Sequence, residues 1–422
     1  MTTYEHIDSY EPIDSERKPL SEVEWARTYD LAHEVLRSTK FASALHNRAS
    51  YPIFGHAVLT LSGKEHLARR RTELPLFSRE NIQSYQEAAV GPALRGAIEQ
   101  LRADADGEEV VVDLNQLVQL SLVRATAAII GIGSVDTDDD AADLQRIAAA
   151  LGIAASVEFS TLDVDVVIDA ALQAKREFID RFYLDGLRRA QAEMAAAAAD
   201  DAAERDGEGR PANLLRLLLE AYPGWDDDDL IRECLFFLTA SGSTTNNASP
   251  HLFRELAEWF DAHPEDRPLA EDVVFMQKAA GEALRLFPPV PALIRRALED
   301  VELSDGRLIR RGELVAVDTN AANRDRDRIG PDADRFDPRR EIGGKIHPSA
   351  VSFGLGPHAC PGRPVAIGSF GRDVEDAPEG ILVVIMQELF RQGARLADEP
   401  PTVREEMDDL RYSRFPIALP AR

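Results

Sequence analysis

The sequence predicts a mainly α-helical fold with small β-sheets, and three observations carry that expectation. First, the segments EWARTYDLAHEVLRS (24–38), NLLRLLLEAY (213–222) and DLIRECLFFLTASGSTTNNASPHLFRELAEWF (229–260) place apolar residues at three- and four-residue spacing, the signature of amphipathic helix. Second, strand-like alternation is confined to about 298–318, around Asp-Gly and Arg-Gly turn signals, and to the C-terminal SRFPIALPAR. Third, the Ala-rich stretch from 190 runs as helix and then dissolves into a charged, Gly-bearing segment, an exposed loop over about 199–211. No internal repeat interrupts the pattern. One domain over 1–422 is expected, with a flexible polar start over 1–20.

Composition narrows the function classes. The 422 residues carry 48 basic and 74 acidic side chains, a formal charge of −26. Such a surface repels phosphate backbones and anionic membranes, so neither nucleic acid nor membrane is an expected partner. The opening MTTYEHIDSYEPIDSERKPL has no apolar core of a signal peptide, and no run of about twenty apolar residues occurs. A cytoplasmic protein is expected. There are two cysteines, Cys234 and Cys360, and two thiols in a large chain with no signal-peptide pattern argue for a reduced compartment, not a disulfide scaffold. Cys234 sits among Leu235, Phe236 and Phe237 and reads as core packing.

Cys360 is different. It stands in Ser352-Phe353-Gly354-Leu355-Gly356-Pro357-His358-Ala359-Cys360-Pro361-Gly362, followed by Arg363-Pro364-Val365-Ala366. Two glycines and a proline specify a tight loop before the sulfur. A helix starting just after it would point backbone amides at the sulfur and favour the thiolate. Such a sulfur suits a soft metal or haem iron. The pattern Phe-Gly-x-Gly-x-His-x-Cys-x-Gly-x-x-x-Ala from Phe353 to Ala366 resembles the haem-binding signature of cytochromes P450 of the soluble bacterial type. The resemblance implies the cytochrome P450 fold and haem b as cofactor. It implies Cys360 as the proximal iron ligand, whose electron donation favours O–O cleavage, with Phe353 covering the haem beside the sulfur.

Further segments are similar to that family in the order it requires. Glu282 and Arg285, in Gly281-Glu282-Ala283-Leu284-Arg285-Leu286-Phe287-Pro288-Pro289, match its structural Glu-x-x-Arg, with Arg340 as the third member. Residues three apart share a helix face, so the first two can pair. Arg295 matches the arginine that binds a haem propionate, a role suited to its planar fork. Its neighbour Arg296 reads as a solvated strand residue. His66 and Arg70, four apart, match the His-x-x-x-Arg that supplies further propionate ligands, and His358 is a fourth candidate.

The oxygen-activating helix departs from the family pattern. Ala-Gly-x-(Asp or Glu)-Thr-Thr becomes Ala240-Ser241-Gly242-Ser243-Thr244-Thr245, so Ser243 replaces the acid. Thr244 and Ser243 are the candidate catalytic residues, and their role is proton delivery. Polar side chains here can also open the helix locally. A serine passes protons through water but cannot supply one near neutrality.

A second departure follows the cysteine, where Pro364 and the acidic 368–380 insert should split the next helix before it resumes at Ile381. Near the expected electron-donor face, the insert would weaken docking of acidic ferredoxins.

The resemblance implies substrate-facing positions at Phe236, Phe237, Ala240, Ser241 and Thr244, and at Val290, Leu293 and Ile294. Leu410 to Ser413 is a further candidate. Mostly apolar, these positions favour a hydrophobic small molecule. The implied activity is a haem-thiolate monooxygenase of secondary or xenobiotic metabolism, fed by a ferredoxin or flavodoxin with its reductase. Alternatives are an atypical enzyme using peroxide or catalysing coupling or rearrangement, and a non-catalytic haem-binding protein.

Overall fold

The computed structural model describes the chain except residues 1–22, 45–47, 87–89, 106–107, 134, 136, 200–211, 370–377, 406–410 and 422. The expectations for 1–20, for the loop following residue 199 and for Leu410 therefore lie mostly or wholly outside the described residues. In chain order the elements are β1 (Glu24–Ala26), α1 (Tyr29–Arg37), β2 (Phe41–Ser43), α2 (Tyr51–Phe54), α3 (Gly63–Glu73), α4 (Arg79–Tyr85), α5 (Gly91–Asp104), β3 (Val110–Asp113), α6 (Leu114–Ile130), α7 (Asp138–Ala155), α8 (Val164–Phe178), α9 (Leu184–Ala199) and α10 (Leu214–Ala221). There follow α11 (Asp227–Ala262), α12 (Val273–Leu286), β4 (Ala292–Ala297), β5 (Val301–Glu302), β6 (Leu308–Ile309), β7 (Leu314–Asp318), α13 (Thr319–Ala322), α14 (Arg326–Ile329), α15 (Arg363–Ile367), α16 (Ile381–Arg391), β8 (Arg395–Leu396), β9 (Thr402–Val403), β10 (Tyr412–Arg414) and β11 (Pro416–Leu419).

Side-chain caps set the helix starts. Thr28, Asp113, Asp226 and Asp272 each accept a backbone N–H of the first turn, opening α1, α6, α11 and α12. The expected helix from residue 24 begins later, because Glu24–Ala26 pair in parallel with β7 and the Thr28 cap follows. The strand region likewise begins earlier than residue 298. β4 runs between β7 and β2 in a four-stranded sheet of order β1-β7-β4-β2. Gly306 and Gly312, with φ +85° and +88°, make the two turns that the Asp-Gly and Arg-Gly pairs signalled.

Helix α11 joins two cores. Its N-terminal part, from Leu230 to Leu238, packs with α7 and α8. Its C-terminal part, from Ala248 to Phe260, packs with α12, α16 and β11. The polar run Thr239–Asn247 between them belongs to neither cluster. The helix is continuous through this run, so the expected local opening is absent. Thr239, Ser241, Ser243 and Thr244 instead fold their hydroxyls back onto carbonyls four residues earlier, at 2.7–2.9 Å.

A buried charge cluster sets α3 against α11. Glu233 accepts the Val58 amide through both oxygens, at 3.1 and 3.0 Å, and Arg69 Nη1 at 3.1 Å. Arg69 lies 4.0 Å over the Trp225 ring, which stacks on Tyr222. Glu73 is buried and hydrogen-bonds Glu233. Burial, then the Glu233 charge, pushes its carboxyl far above the ordinary carboxylate range. The folded chain therefore holds this proton while the unfolded chain releases it as pH rises through about 4.3. From that point upward the group lowers stability, with no cost below it. Glu73→Gln, which keeps the hydrogen bond without the proton, should raise stability by about 2 kcal/mol at pH 8 and by little at pH 4. Urea unfolding at the two pH values measures the difference.

After Cys360 the helix is split as expected, into α15 and α16. The two ends of the insert meet. Ser369 N donates to the Pro378 carbonyl at 3.3 Å, and Gln277 Nε2, from α12, donates to the carbonyls of Pro378 and Glu379 at 3.3 and 3.2 Å. Gly368 and Gly380 have φ +77° and +97°, and a Cβ on Gly380 would stand 2.4 Å from Gly368 N. Only glycine fits that closure. Residues 370–377, most of the insert's acidic side chains among them, lie outside the described residues.

Candidate functional site

The cysteine loop is held by a relay of buried hydrogen bonds that starts on α12. Glu282 and Arg285 pair bidentately at 2.7 Å for both contacts. Glu282 also accepts Arg340 Nε at 2.9 Å and the Asp337 amide at 3.2 Å. Arg285 Nη1 donates to the carbonyls of Asn323 and Ala333, at 2.8 and 2.6 Å. Asn323, fully buried, donates to the Arg285 carbonyl and to Ser352 Oγ and accepts the Val351 amide. Ser352 and Val351 open the loop, and Cys360 N closes it on the Phe353 carbonyl at 2.7 Å. The three expected structural residues are thus brought together. Asn323 is a fourth member that carries no local pattern in the sequence.

The loop also needs its glycines. Gly356 has φ +69°, and a Cβ there would lie 2.6 Å from the Leu36 carbonyl at the end of α1. Cys360 has exposed surface. Crowding by surrounding protein atoms pushes its thiol up, while the amides of Gly362 and Arg363 and the charges of Arg70 and Arg363 pull it back. α15 starts at Arg363, so the amides arrive from the expected direction.

Four nitrogen-bearing side chains gather beside the sulfur. Arg70 donates to the Ala359 carbonyl at 2.7 Å, tying α3 to the loop. The rings of His66 and His358 lie 4.1 Å apart. Arg295 is buried and donates to the Ile294 carbonyl at 2.9 Å. Burial holds it down at about 10. Burial, then the neighbouring cations, holds His66 down to about 4. His358 is held to about 3 by burial, then by His66, Arg295 and Arg70. Among the described residues none of the four forms an ion pair with a carboxylate. The two imidazoles, held this low, are uncharged near neutral pH, so the cations here are the buried Arg295 and the half-buried Arg70, and a pair of arginines without a carboxylate among the described residues fits a dianionic cofactor. Arg296, by contrast, is half-exposed and donates to the Gly312 carbonyl.

Opposite charges aside, the remaining expected positions divide. Ala240 is exposed in mid-helix although Leu238 and Gly242 are buried, so α11 has an open face there. Thr244, one turn on, shares that face. Phe237 is buried, stacks 6.4 Å from Phe77 and lies beside the half-buried Phe236. Leu293 approaches Gly354, 3.8 Å from where a Cβ would be, and Val290 and Phe353 are half-buried. Ile294 does not join them. It packs with Ala44 and Ala316 on the other side of β4, because successive strand residues face opposite ways. Ser241 turns to α6, with 2.9 Å to Thr126 Oγ1, and Ser243 lies against Gly152 of α7.

This arrangement of thiol, glycine loop and cation cradle accompanies a direct match. Residues 266–369 fit the family model described as Cytochrome P450. The chain belongs to the cytochrome P450 family. Members of this P450 family bind haem b through a cysteine thiolate, and the site residues fit that cofactor. The chain is 23% identical to Cytochrome P450 monooxygenase 205 of Postia placenta, over 84% of this chain and 76% of that one. It is 25% identical to Cyclooctat-9-en-7-ol 5-monooxygenase of Streptomyces melanosporofaciens, over 75% and 70%. The solved structure of CalO2 superposes with TM-score 0.68 at 22% identity, covering 97% of this chain and 93% of that one. It shares the P450 fold. As an enzyme the chain is therefore a P450 oxidoreductase. No helix among the described residues is long and apolar enough to cross a membrane.

Proposed function

We propose that this P450 is a cytoplasmic monooxygenase of bacterial secondary or xenobiotic metabolism acting on an apolar small molecule. The observation that carries the reading is the pair of arginines, Arg295 and Arg70, that stands beside the Cys360 loop with no carboxylate partner among the described residues. In this reading Cys360 holds the iron, and His66, Arg70, Arg295 and His358 hold the propionates. Bound there, haem supplies dioxygen activation, placing one oxygen atom in the substrate and the other in water at the cost of two electrons and two protons. The chain's own residues orient and exclude. Phe236, Phe237, Val290 and Leu293 present apolar surface to a substrate, while Thr244 stands on the open face of α11 to hold a water. A ferredoxin or flavodoxin with its reductase supplies the electrons.

Ser243 favours one second reading. Its hydroxyl is committed to the Thr239 carbonyl at 2.7 Å, and no carboxylic acid occupies its position. A peroxide-driven or rearranging enzyme needs less proton delivery from that point. Turnover with an NADPH-linked donor, compared with hydrogen peroxide, across apolar compounds first selected by their spin-state shift, decides between them. A protein that binds such compounds yet turns none over under either condition overturns the enzymatic reading. The cradle has its own test. Arg295→Leu removes a charge-assisted partner of the propionates and should speed haem transfer to apomyoglobin about tenfold or more. An unchanged rate removes Arg295 from the cradle.

A further inference from the structure

Beyond Thr244, a second polar group lies on α11. Thr244, Asn247 and His251 are spaced three and four residues apart and share one helix face. They span about 10 Å of its axis at the usual rise. Asn247 and His251 line a cavity of about 80 Å³, together with Asn320, Arg411, Phe287 and the prolines of the 288–291 turn. That volume holds several waters, and four hydrogen-bonding side chains surround it.

The His251 ring is held in place. It lies parallel to Phe287 at 4.4 Å and 5.1 Å from the Tyr412 ring. Among the described residues, several charged groups stand near it. Arg254, from the next turn, lies 5.5 Å over Phe287 and donates to Tyr412 Oη at 2.7 Å, with Glu255 beside it at 3.5 Å. Arg411 stands in the cavity wall, and Arg324 steadies Asn320 from α13. A neutral imidazole offers an acceptor on one ring nitrogen and a donor on the other.

We propose that this cavity is a water-filled proton relay to Thr244, with His251 as its titratable member in place of the acid missing at position 243. The inference rests on the monooxygenase reading. His251 accepts a proton from cavity water on one nitrogen and releases one from the other toward Asn247 and the Thr244 hydroxyl. The ring gains no net charge in a passage but ends it as the other tautomer; exchange with cavity water, one nitrogen losing a proton and the other gaining one, resets it before the second of the two passages that dioxygen and two donor electrons require.

His251→Phe keeps the ring stack and removes the proton carrier. Asn247→Leu interrupts the same path without altering the His251 ring, and stands in should the first variant not fold. Each is expected to lower product formed per NADPH about tenfold, a modest share of what positioned acid–base groups supply, with the difference recovered as hydrogen peroxide. Adding Ser243→Asp to His251→Phe is expected to restore the yield. A readout independent of turnover is the C–O stretch of the ferrous carbonyl form, expected to shift with pH in the wild type and to stay constant in His251→Phe. Unchanged yield in both single variants, or a pH-invariant stretch in the wild type, overturns the relay. A wild type with the thiolate carbonyl band but no turnover on any compound overturns the monooxygenase reading, and the stretch alone then decides the relay.

Discussion

Arg285→Met is expected to destabilise the protein by about 3–5 kcal/mol and to yield little folded, haem-loaded material. The reason is that Arg285 is fully buried and bonds Glu282 and the carbonyls of Asn323 and Ala333 at once. Its loss strands the Glu282 carboxylate with Arg340 as its remaining cation and leaves two buried carbonyls without their donor. The pair form Glu282→Leu with Arg285→Met should recover part of the loss, because no buried charge is then left alone, but not the carbonyl partners. Chemical denaturation of the three variants ranks them. A single variant within about 1 kcal/mol of wild type would show that the Asn323 connection alone suffices to hold the cysteine loop, since such a shift is the ordinary size for an unremarkable substitution.

Cys360→Ala has the larger spectroscopic consequence. The thiolate band of the reduced carbonyl form should disappear entirely, and oxidation of any substrate with it. Haem should still associate, more weakly, because His66, Arg70, Arg295 and His358 are untouched. The same variant should fold, since the Cys360 amide bond to the Phe353 carbonyl is made by backbone. Persistence of the wild-type bands would place the iron ligand elsewhere, and Cys234 could not replace it, because it is wholly buried with its thiol pushed up by that burial.

How far these features can be read from the chain depends on where their partners lie. The cysteine loop and the Glu282–Arg285 pair are local patterns, so spacing reveals them. Asn323 and Glu233 act through partners far away in the chain, and only the folded arrangement joins them. Glu73 gives a faint local sign, standing four residues after Arg69 on one helix face, but its buried proton depends on Glu233. Ile294 was legible and is misread by the family likeness: strand alternation alone puts Leu293 and Arg295 on one face and Ile294 on the other. The helical spacing from residue 24 fails for the opposite reason, because pairing with β7 overrides local preference.

The meeting of Gly368 and Gly380 brings the two ends of the segment between α15 and α16 to one point. Gln277 holds that point from α12. The length of chain between those ends can therefore change without pulling on the cysteine loop a few residues upstream. A fluorescent tag or a fused electron-carrier domain inserted between 370 and 377 would therefore ride on the enzyme while leaving its haem spectrum as it was.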